Sequence, residues 1–114
     1  MLYMNIKQLK EIHNETTKKC YDIMIKKNSD YTGGKESKDA FANFRMSEFF
    51  DIEPVIGIMM RVLDKIQRIK SFSKDGELKV NEESVYDACE DIVNYAILAK
   101  AMFIEKKQKS ENNI

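Results

Sequence analysis

The chain has 114 residues, of which 43% are hydrophobic and 33% are charged, and this is the composition of a globular domain with one modest core. Its 19 basic residues balance its 19 acidic ones, which argues against duplex nucleic acid or an anionic membrane as the main partner. A small anionic ligand is still compatible with this balance, because such a ligand responds to local charge. No stretch approaches the roughly 18 apolar residues of a membrane span, and the N-terminus lacks the apolar run of a signal peptide.

Cysteine and histidine are too few to predict a disulfide scaffold or a zinc site. The two cysteines are Cys20 and Cys89, and His13 is the only histidine. Reduced thiols, together with the lack of a signal peptide, predict a cytoplasmic protein.

The first helix is predicted from Asn5 to Lys27. Asn5 caps it, with Gln8 in the capping-box position three residues later, and apolar residues recur at helical spacing behind them. A short helix is predicted over Asp39 to Phe50, and its phenylalanines are expected mainly in the core.

The segment between these two helices is a loop with two glycines. It is not a Walker A motif, because it has neither the G-x-x-x-x-G-K-[ST] spacing nor a preceding strand. It is either a surface turn or a segment that closes over a ligand, with Tyr31 stacking on a base and Lys35 or Lys38 meeting phosphate.

Two long helices follow. One begins at Asp51 to Pro54, where proline suits the first turn, and runs to about Lys70. The other is capped by Asn81 and reaches about Lys107. We therefore predict an all-α fold, a small helical bundle of three long helices plus one short helix, in a single domain over residues 1–107 with a frayed polar tail over 108–114.

The last helix carries an acidic stripe within roughly a 100° arc. No basic residue occurs between positions 81 and 99, so no cation in this part of the helix offsets the repulsion between acids one turn apart. The stripe is either a solvated acidic face, or its charge is compensated from outside the helix. The compensating group is then either basic residues of a neighbour or a hard metal such as Mg²⁺, which carboxylates on helical bundles hold. Its members are Glu83, Asp87, Glu90, Asp91 and Asn94.

The preceding helix carries a basic stripe, Arg61, Lys65 and Arg68, with Asp64 among them. One interpretation is a solvated face with an Asp64–Arg68 pair. The other is a surface that faces phosphate, because Arg forks and Lys point charges both suit phosphate.

Four segments together resemble the nucleotide modification associated domain family, over roughly residues 28–99. That family is common in bacteriophages and is similar to the MazG-like all-α nucleoside triphosphate pyrophosphohydrolases. The segments are Asp30-Tyr31, Asp39-Ala40-Phe41-Ala42-Asn43-Phe44, Arg61-x-x-Asp64-Lys65-x-x-Arg68 and Glu83-Ser84-x-x-Asp87-x-x-x-Asp91-x-x-Asn94-Tyr95.

The resemblance implies a MazG-like fold and a nucleotide ligand. It implies that Glu83, Asp87 and Asp91 hold Mg²⁺ as catalytic groups, with Asp64 facing them. The implied nucleotide site combines the residues of the loop and of the basic stripe with three further polar residues, so that its members are Tyr31, Lys35, Asn43, Arg61, Lys65, Arg68, Asn94 and Tyr95.

The chain departs from the MazG-like pattern in its basic stripe, because the enzymes have two or three acids where this chain has one aspartate among cations. Two functions are therefore expected. The first is Mg²⁺-dependent pyrophosphohydrolysis or the supply of modified nucleotides. The alternative is a catalytically inactive binder that sequesters a host signalling nucleotide, in the host cytoplasm if a phage encodes it. A purely structural adaptor is the third and weakest interpretation.

Apolar residues occupy more of the helix circumference than three helices can bury in one small monomer. Met59, Met60, Met102 and Phe103 are candidates for the excess. We predict a homodimer or tetramer in which a neighbouring chain completes each site.

Overall fold

The computed structural model describes residues 2–31, 39–75 and 82–112, and these residues are all-α, as predicted. The helices are α1 (Ile6–Tyr31), a short 3₁₀ helix (Phe44–Phe50), α2 (Pro54–Asp75) and α3 (Glu82–Asn112). The chain divides into two compact units, Met1–Glu36 and Ser37–Ile114. The prediction of one domain over residues 1–107 stays a prediction.

The first unit contains α1, and its capping box is confirmed. The Asn5 N–H donates to Gln8 Oε1 and the Gln8 N–H donates to Asn5 Oδ1, both at 2.9 Å. These reciprocal bonds satisfy two of the N–H groups that a helix start leaves without helical partners. The helix continues to Tyr31 rather than ending near Lys27. The polar residues Asn28, Ser29 and Asp30 lower helix propensity less than glycine does, so they do not end the helix.

The second unit packs α2 against α3, with the 3₁₀ helix on α2. Its buried core consists of Phe41, Ile58, Ala99 and Met102. The prediction that Met102 belongs to the apolar excess on the surface is therefore wrong, because this side chain faces α2 from α3. Met59, Met60 and Phe103 are exposed, as predicted.

The short helix differs from its predicted form over Asp39 to Phe50. Asp39 Oδ1 accepts a hydrogen bond from the Phe41 N–H at 3.0 Å, and this side-chain turn competes with helical bonding. A turn precedes the helical residues, which begin at Phe44 and follow 3₁₀ geometry. The expectation that its phenylalanines are mainly core holds for Phe41 but not for Phe49 and Phe50, which are exposed.

The long helices of the second unit are longer than predicted. α2 begins at Pro54 as predicted and continues to Asp75, past Lys70. α3 continues to Asn112, so the tail that was expected to fray is largely helical. Pairs one turn apart support these last turns, with Lys109 Nζ 3.4 Å from Glu105 Oε1. The predicted cap Asn81 lies outside the described residues.

Both cysteines are free thiols. Among the described residues, none of the helices has the length and apolarity that crossing a membrane requires.

Candidate functional site

A cleft of about 560 Å³ opens in the second unit between the 3₁₀ helix, α2 and α3. Its volume lies within the range of small-molecule sites, which also combine apolar walls with a few placed polar groups, as this cleft does. The lining residues are Asn43, Phe44, Met46, Ser47, Phe50, Ile52, Pro54, Gly57, Ile58, Met60, Arg61, Asp64, Lys65 and Tyr95.

The 3₁₀ helix forms one wall of the cleft through its own periodicity. With three residues per turn, positions i and i+3 lie above one another, so Phe44, Ser47 and Phe50 share a face. All three line the cleft. The Ser47 hydroxyl, which donates to the Ile52 carbonyl at 2.8 Å, ties this helix to the start of α2.

Gly57 of α2 allows the 3₁₀ helix to approach closely. A Cβ at this position would lie 3.3 Å from Ser47 Cβ, which is closer than most real Cβ contacts. The small residue therefore sets the separation of the two cleft walls.

Cationic side chains line the cleft wall that α2 forms. The Arg61 guanidinium lies over the Phe44 ring, 5.2 Å from its centroid. Lys65 Nζ lies 3.1 Å from Asp91 Oδ2 of α3, and this pair is largely buried. Arg61 thus combines a charge with a flat stacking surface, and Lys65 joins α2 to the acidic stripe.

Asp64 also lines the cleft, and Arg68 Nε lies 3.9 Å from its Oδ2. The Asp64–Arg68 pair expected from the sequence is therefore present, at long range and with both side chains more than half exposed. Such a pair contributes little to stability.

A second charged cluster anchors the 3₁₀ helix to α3. Arg45 Nε donates to Asp39 Oδ2 at 2.6 Å, and Arg45 Nη2 donates to the Glu105 carboxylate at 3.0 Å. The hydrogen bond from Arg45 is the main cause that lowers the pKa of the Asp39 carboxyl below its ordinary value of 3.8. The two carboxylates raise the pKa of Arg45. Asp39 and Arg45 therefore stay charged, and the cluster holds the wall that contains Phe44.

The acidic stripe of α3 is partly buried within the second unit and partly exposed to solvent. Asp91 and Asn94 are half-buried, whereas Asp87 is exposed. One carboxylate oxygen of Glu90 and the amide oxygen of Asn94 are withdrawn from solvent. The stripe is therefore not a uniformly solvated face.

The cleft brings together many of the residues predicted for the site. Arg68 and Asp91 are not among the described residues that line the cleft, but each forms an ion pair with a lining residue, Arg68 with Asp64 and Asp91 with Lys65. Asp87 lies one helical turn before Asp91. Lys35 lies outside the described residues, as do the side chains of Tyr31 and Glu83. The predicted residues that line the cleft directly are Asn43, Arg61, Asp64, Lys65 and Tyr95.

The metal site stays a prediction. Among the described residues, no three acidic, histidine or cysteine side chains form a metal-binding group. Of the three predicted ligands, Asp91 already contacts an ammonium group and Asp87 points to solvent.

The family described as nucleotide modification associated domain 1 matches residues 27–102. This range is more than half of the chain's 114 residues, and the chain belongs to this family. The range includes every described residue that lines the cleft. No curated protein and no solved structure matches the chain. The relation to MazG-like enzymes stays a prediction.

Proposed function

We propose that the chain binds a nucleotide in the cleft between the 3₁₀ helix, α2 and α3. The observation that carries this proposal is the Arg61 guanidinium over the Phe44 ring, on a wall that also contains Lys65. A nucleotide needs both features, since its base stacks on flat groups and its phosphate attracts cations. Membership of a family associated with nucleotide modification supports the same ligand class.

The phosphate would lie against Arg61 and Lys65. An Arg guanidinium offers a planar fork of donors, and a Lys ammonium offers three donors from one point. The base would lie against the aromatic side chains Phe44, Phe50 and Tyr95, where each stacked base gains about 1–3 kcal/mol. The Asn43 amide both donates and accepts, so it can read a base edge.

Calorimetric titration with a panel of nucleosides and of their mono-, di- and triphosphates tests this proposal. We expect the phosphorylated compounds to bind more tightly than the nucleosides, because only they use the cationic wall. Native mass spectrometry of the purified protein, followed by extraction, identifies any nucleotide that copurifies. Failure of the whole panel to bind wild-type protein at millimolar concentration would refute the proposal.

Pyrophosphohydrolysis with Mg²⁺ is a second candidate, favoured by the Asp64 carboxylate in the cleft wall and by Asp91, which pairs with Lys65 of the same wall. The resemblance assigns the metal to Glu83, Asp87 and Asp91, where it would polarise the phosphate and activate water, so this candidate requires Asp91 to leave its ion pair with Lys65. On this candidate, Mg²⁺ raises the melting temperature and Asp87→Asn abolishes that rise while the fold is retained.

Product analysis separates the enzyme from an inactive binder that sequesters the nucleotide. Protein, nucleoside triphosphate and Mg²⁺ are incubated together, the protein is heat-denatured, and the released compounds are separated by chromatography. An enzyme returns a nucleoside monophosphate and pyrophosphate. A binder returns every nucleotide intact, and a phage would use such a binder against a host signalling nucleotide.

A further inference from the structure

The contact between Lys65 and Asp91 joins α2 to the acidic stripe at the edge of the cleft. Lys65 Nζ lies 3.1 Å from Asp91 Oδ2, with the two side chains only 16% and 24% exposed. Lys65 also lines the cleft. The ammonium group is therefore placed both to neutralise a carboxylate of α3 and to meet a ligand.

A divalent cation would need the same carboxylate. Mg²⁺ binds carboxylate oxygens at about 2.0–2.1 Å and repels an ammonium group held at ion-pair distance from the same oxygens. Expelling Lys65 would also leave a partly buried ammonium without its counter-charge, which is costly when one partner of an enclosed pair is lost. The described residues therefore fit a lysine at Asp91 and do not fit a metal ion there.

We propose that Lys65 takes the place of a divalent cation at Asp91, so that the cleft binds its nucleotide as the free anion rather than as a metal complex. The nucleotide part of this proposal rests on the proposed function, but the replacement of a metal ion at Asp91 does not. An ammonium has three N–H donors. Lys65 can thus hold Asp91 with one donor and a phosphate oxygen with another.

The replacement is tested with Mn²⁺ alone, by following the electron paramagnetic resonance signal of the free ion. We expect wild-type protein to show no Mn²⁺ binding that depends on Asp91. Lys65→Gln should raise Mn²⁺ affinity by at least about tenfold, because it removes the competing ammonium from Asp91, and Lys65→Gln with Asp91→Asn should remove the gain. Lys70→Gln is the matched control, since it removes the same charge from an exposed position of α2.

The proposal is overturned if Asp91→Asn removes Mn²⁺ binding from otherwise wild-type protein, since Asp91 would then be a metal ligand in the native state. It is equally overturned if folded Lys65→Gln gains no affinity, or gains no more than Lys70→Gln. Circular dichroism establishes whether Lys65→Gln folds. If it does not, the comparison of wild type with Asp91→Asn still decides the matter.

The second arm measures nucleotide affinity of the wild-type protein in EDTA and in Mg²⁺. We expect a nucleoside monophosphate and a triphosphate each to bind with affinities that agree within about twofold in the two buffers. A rise of about tenfold with Mg²⁺ that Asp91→Asn removes would overturn the proposal. If no nucleotide binds but the Mn²⁺ pattern holds, the proposed function fails and the replacement at Asp91 stands.

Discussion

Arg61 contacts both kinds of group in the cleft wall, because its guanidinium is a cation and lies over the Phe44 ring, and in the proposed complex it would contact the phosphate. Arg61→Ala removes a charge-assisted contact. We expect it to weaken nucleotide binding by about ten- to a hundredfold, or about 1.5–3 kcal/mol. Isothermal titration calorimetry with the tightest-binding nucleotide of the panel measures this change.

Arg68→Ala is the matched control for that experiment. It removes the same charge from the same helix, but Arg68 is not among the described residues that line the cleft. We expect a loss of affinity of no more than about threefold. Equal losses of affinity in the two variants would show instead that phosphate groups contact the whole basic stripe, as one interpretation of the sequence predicts.

Asp39 gives the structure a pH dependence whose sign follows from its pKa. The hydrogen bond from Arg45 makes the pKa of this carboxyl lower in the folded chain than its ordinary value of 3.8. Its stabilising contribution is therefore complete above that value and is lost as the pH falls through the lowered pKa. Because the Asp39 side chain is 39% exposed, solvent screening keeps the contribution small.

Asp39→Asn should therefore lower the melting temperature at pH 7 by a few degrees, on the order expected for a loss below about 1 kcal/mol. The difference from wild type should shrink as the pH falls below 3.8, where the wild-type carboxyl also becomes protonated. Thermal unfolding followed by circular dichroism across this range measures it. A difference that persists unchanged in acid would show that Asp39 acts by packing rather than by charge.

At the scale of elements, the contact between the 3₁₀ helix and α2 sets the width of the cleft. Gly57→Leu would place a large side chain against Ser47, where even a Cβ would lie at 3.3 Å. We expect this variant to lose about 1–3 kcal/mol of stability and to bind nucleotide more weakly, because the walls must move apart.

Gly57→Ala is the control for Gly57→Leu, because both variants remove the glycine from the helix but only leucine places a large side chain against Ser47. Alanine gains about 1 kcal/mol of helix propensity over glycine, which offsets the tight contact of a single methyl group. We expect its stability and nucleotide affinity to stay near those of wild type. Chemical denaturation and calorimetry of both variants measure the two quantities, and a Gly57→Leu variant that binds as wild type does would contradict the role of this contact.

The long helices could be predicted from the sequence, whereas the 3₁₀ helix could not. Apolar periodicity, the capping box and Pro54 are local signals, and they place α1, α2 and α3. The 3₁₀ helix results from the Asp39 turn and from its attachment to α3 through Arg45 and Glu105, which are 60 residues apart. No periodic pattern encodes a contact at that separation.

The same distinction between local signals and contacts of distant residues explains which residues of the candidate cleft could be predicted. Helical spacing places Arg61, Asp64 and Lys65 close together on α2, and all three line the candidate cleft, whereas their role in binding stays a prediction. Phe44, Ser47 and Phe50 were missed as a set because they share a face only with three residues per turn, and helix prediction assumes 3.6. The pairing of Lys65 with Asp91 depends on how α2 packs against α3, which the spacing within each helix does not specify.

At the scale of the whole molecule, α2 and α3 expose large apolar side chains. Leu63 is 64% exposed, Phe103 59% and Met60 55%. A second groove, of about 580 Å³, lies on the same two helices, with Lys100 and Lys107 among its lining residues. Large contiguous apolar patches are uncommon on the surface of monomeric proteins, and where they occur they usually mark interaction sites.

We predict that this groove is where copies of the chain associate, as a homodimer or tetramer in which a neighbour completes each nucleotide site. Phe103 lines the groove and is 59% exposed, so Phe103→Asp should convert the assembly to monomer by replacing an apolar side chain of the contact with a hydrated carboxylate. Phe49→Asp is the matched control, because Phe49 is 81% exposed and is not among the described residues of either groove or cleft.

Light scattering coupled to size-exclusion chromatography gives the mass of all three proteins at micromolar concentration. Wild type and Phe49→Asp should elute at twice or four times the 13.3 kDa of one chain, and Phe103→Asp at the mass of one chain. In the predicted assembly a neighbour completes the site, so the Phe103→Asp monomer should also bind nucleotide more weakly than wild type. A monomeric wild-type protein would refute the assembly, and a Phe103→Asp monomer with wild-type affinity would show that each chain's cleft is complete by itself.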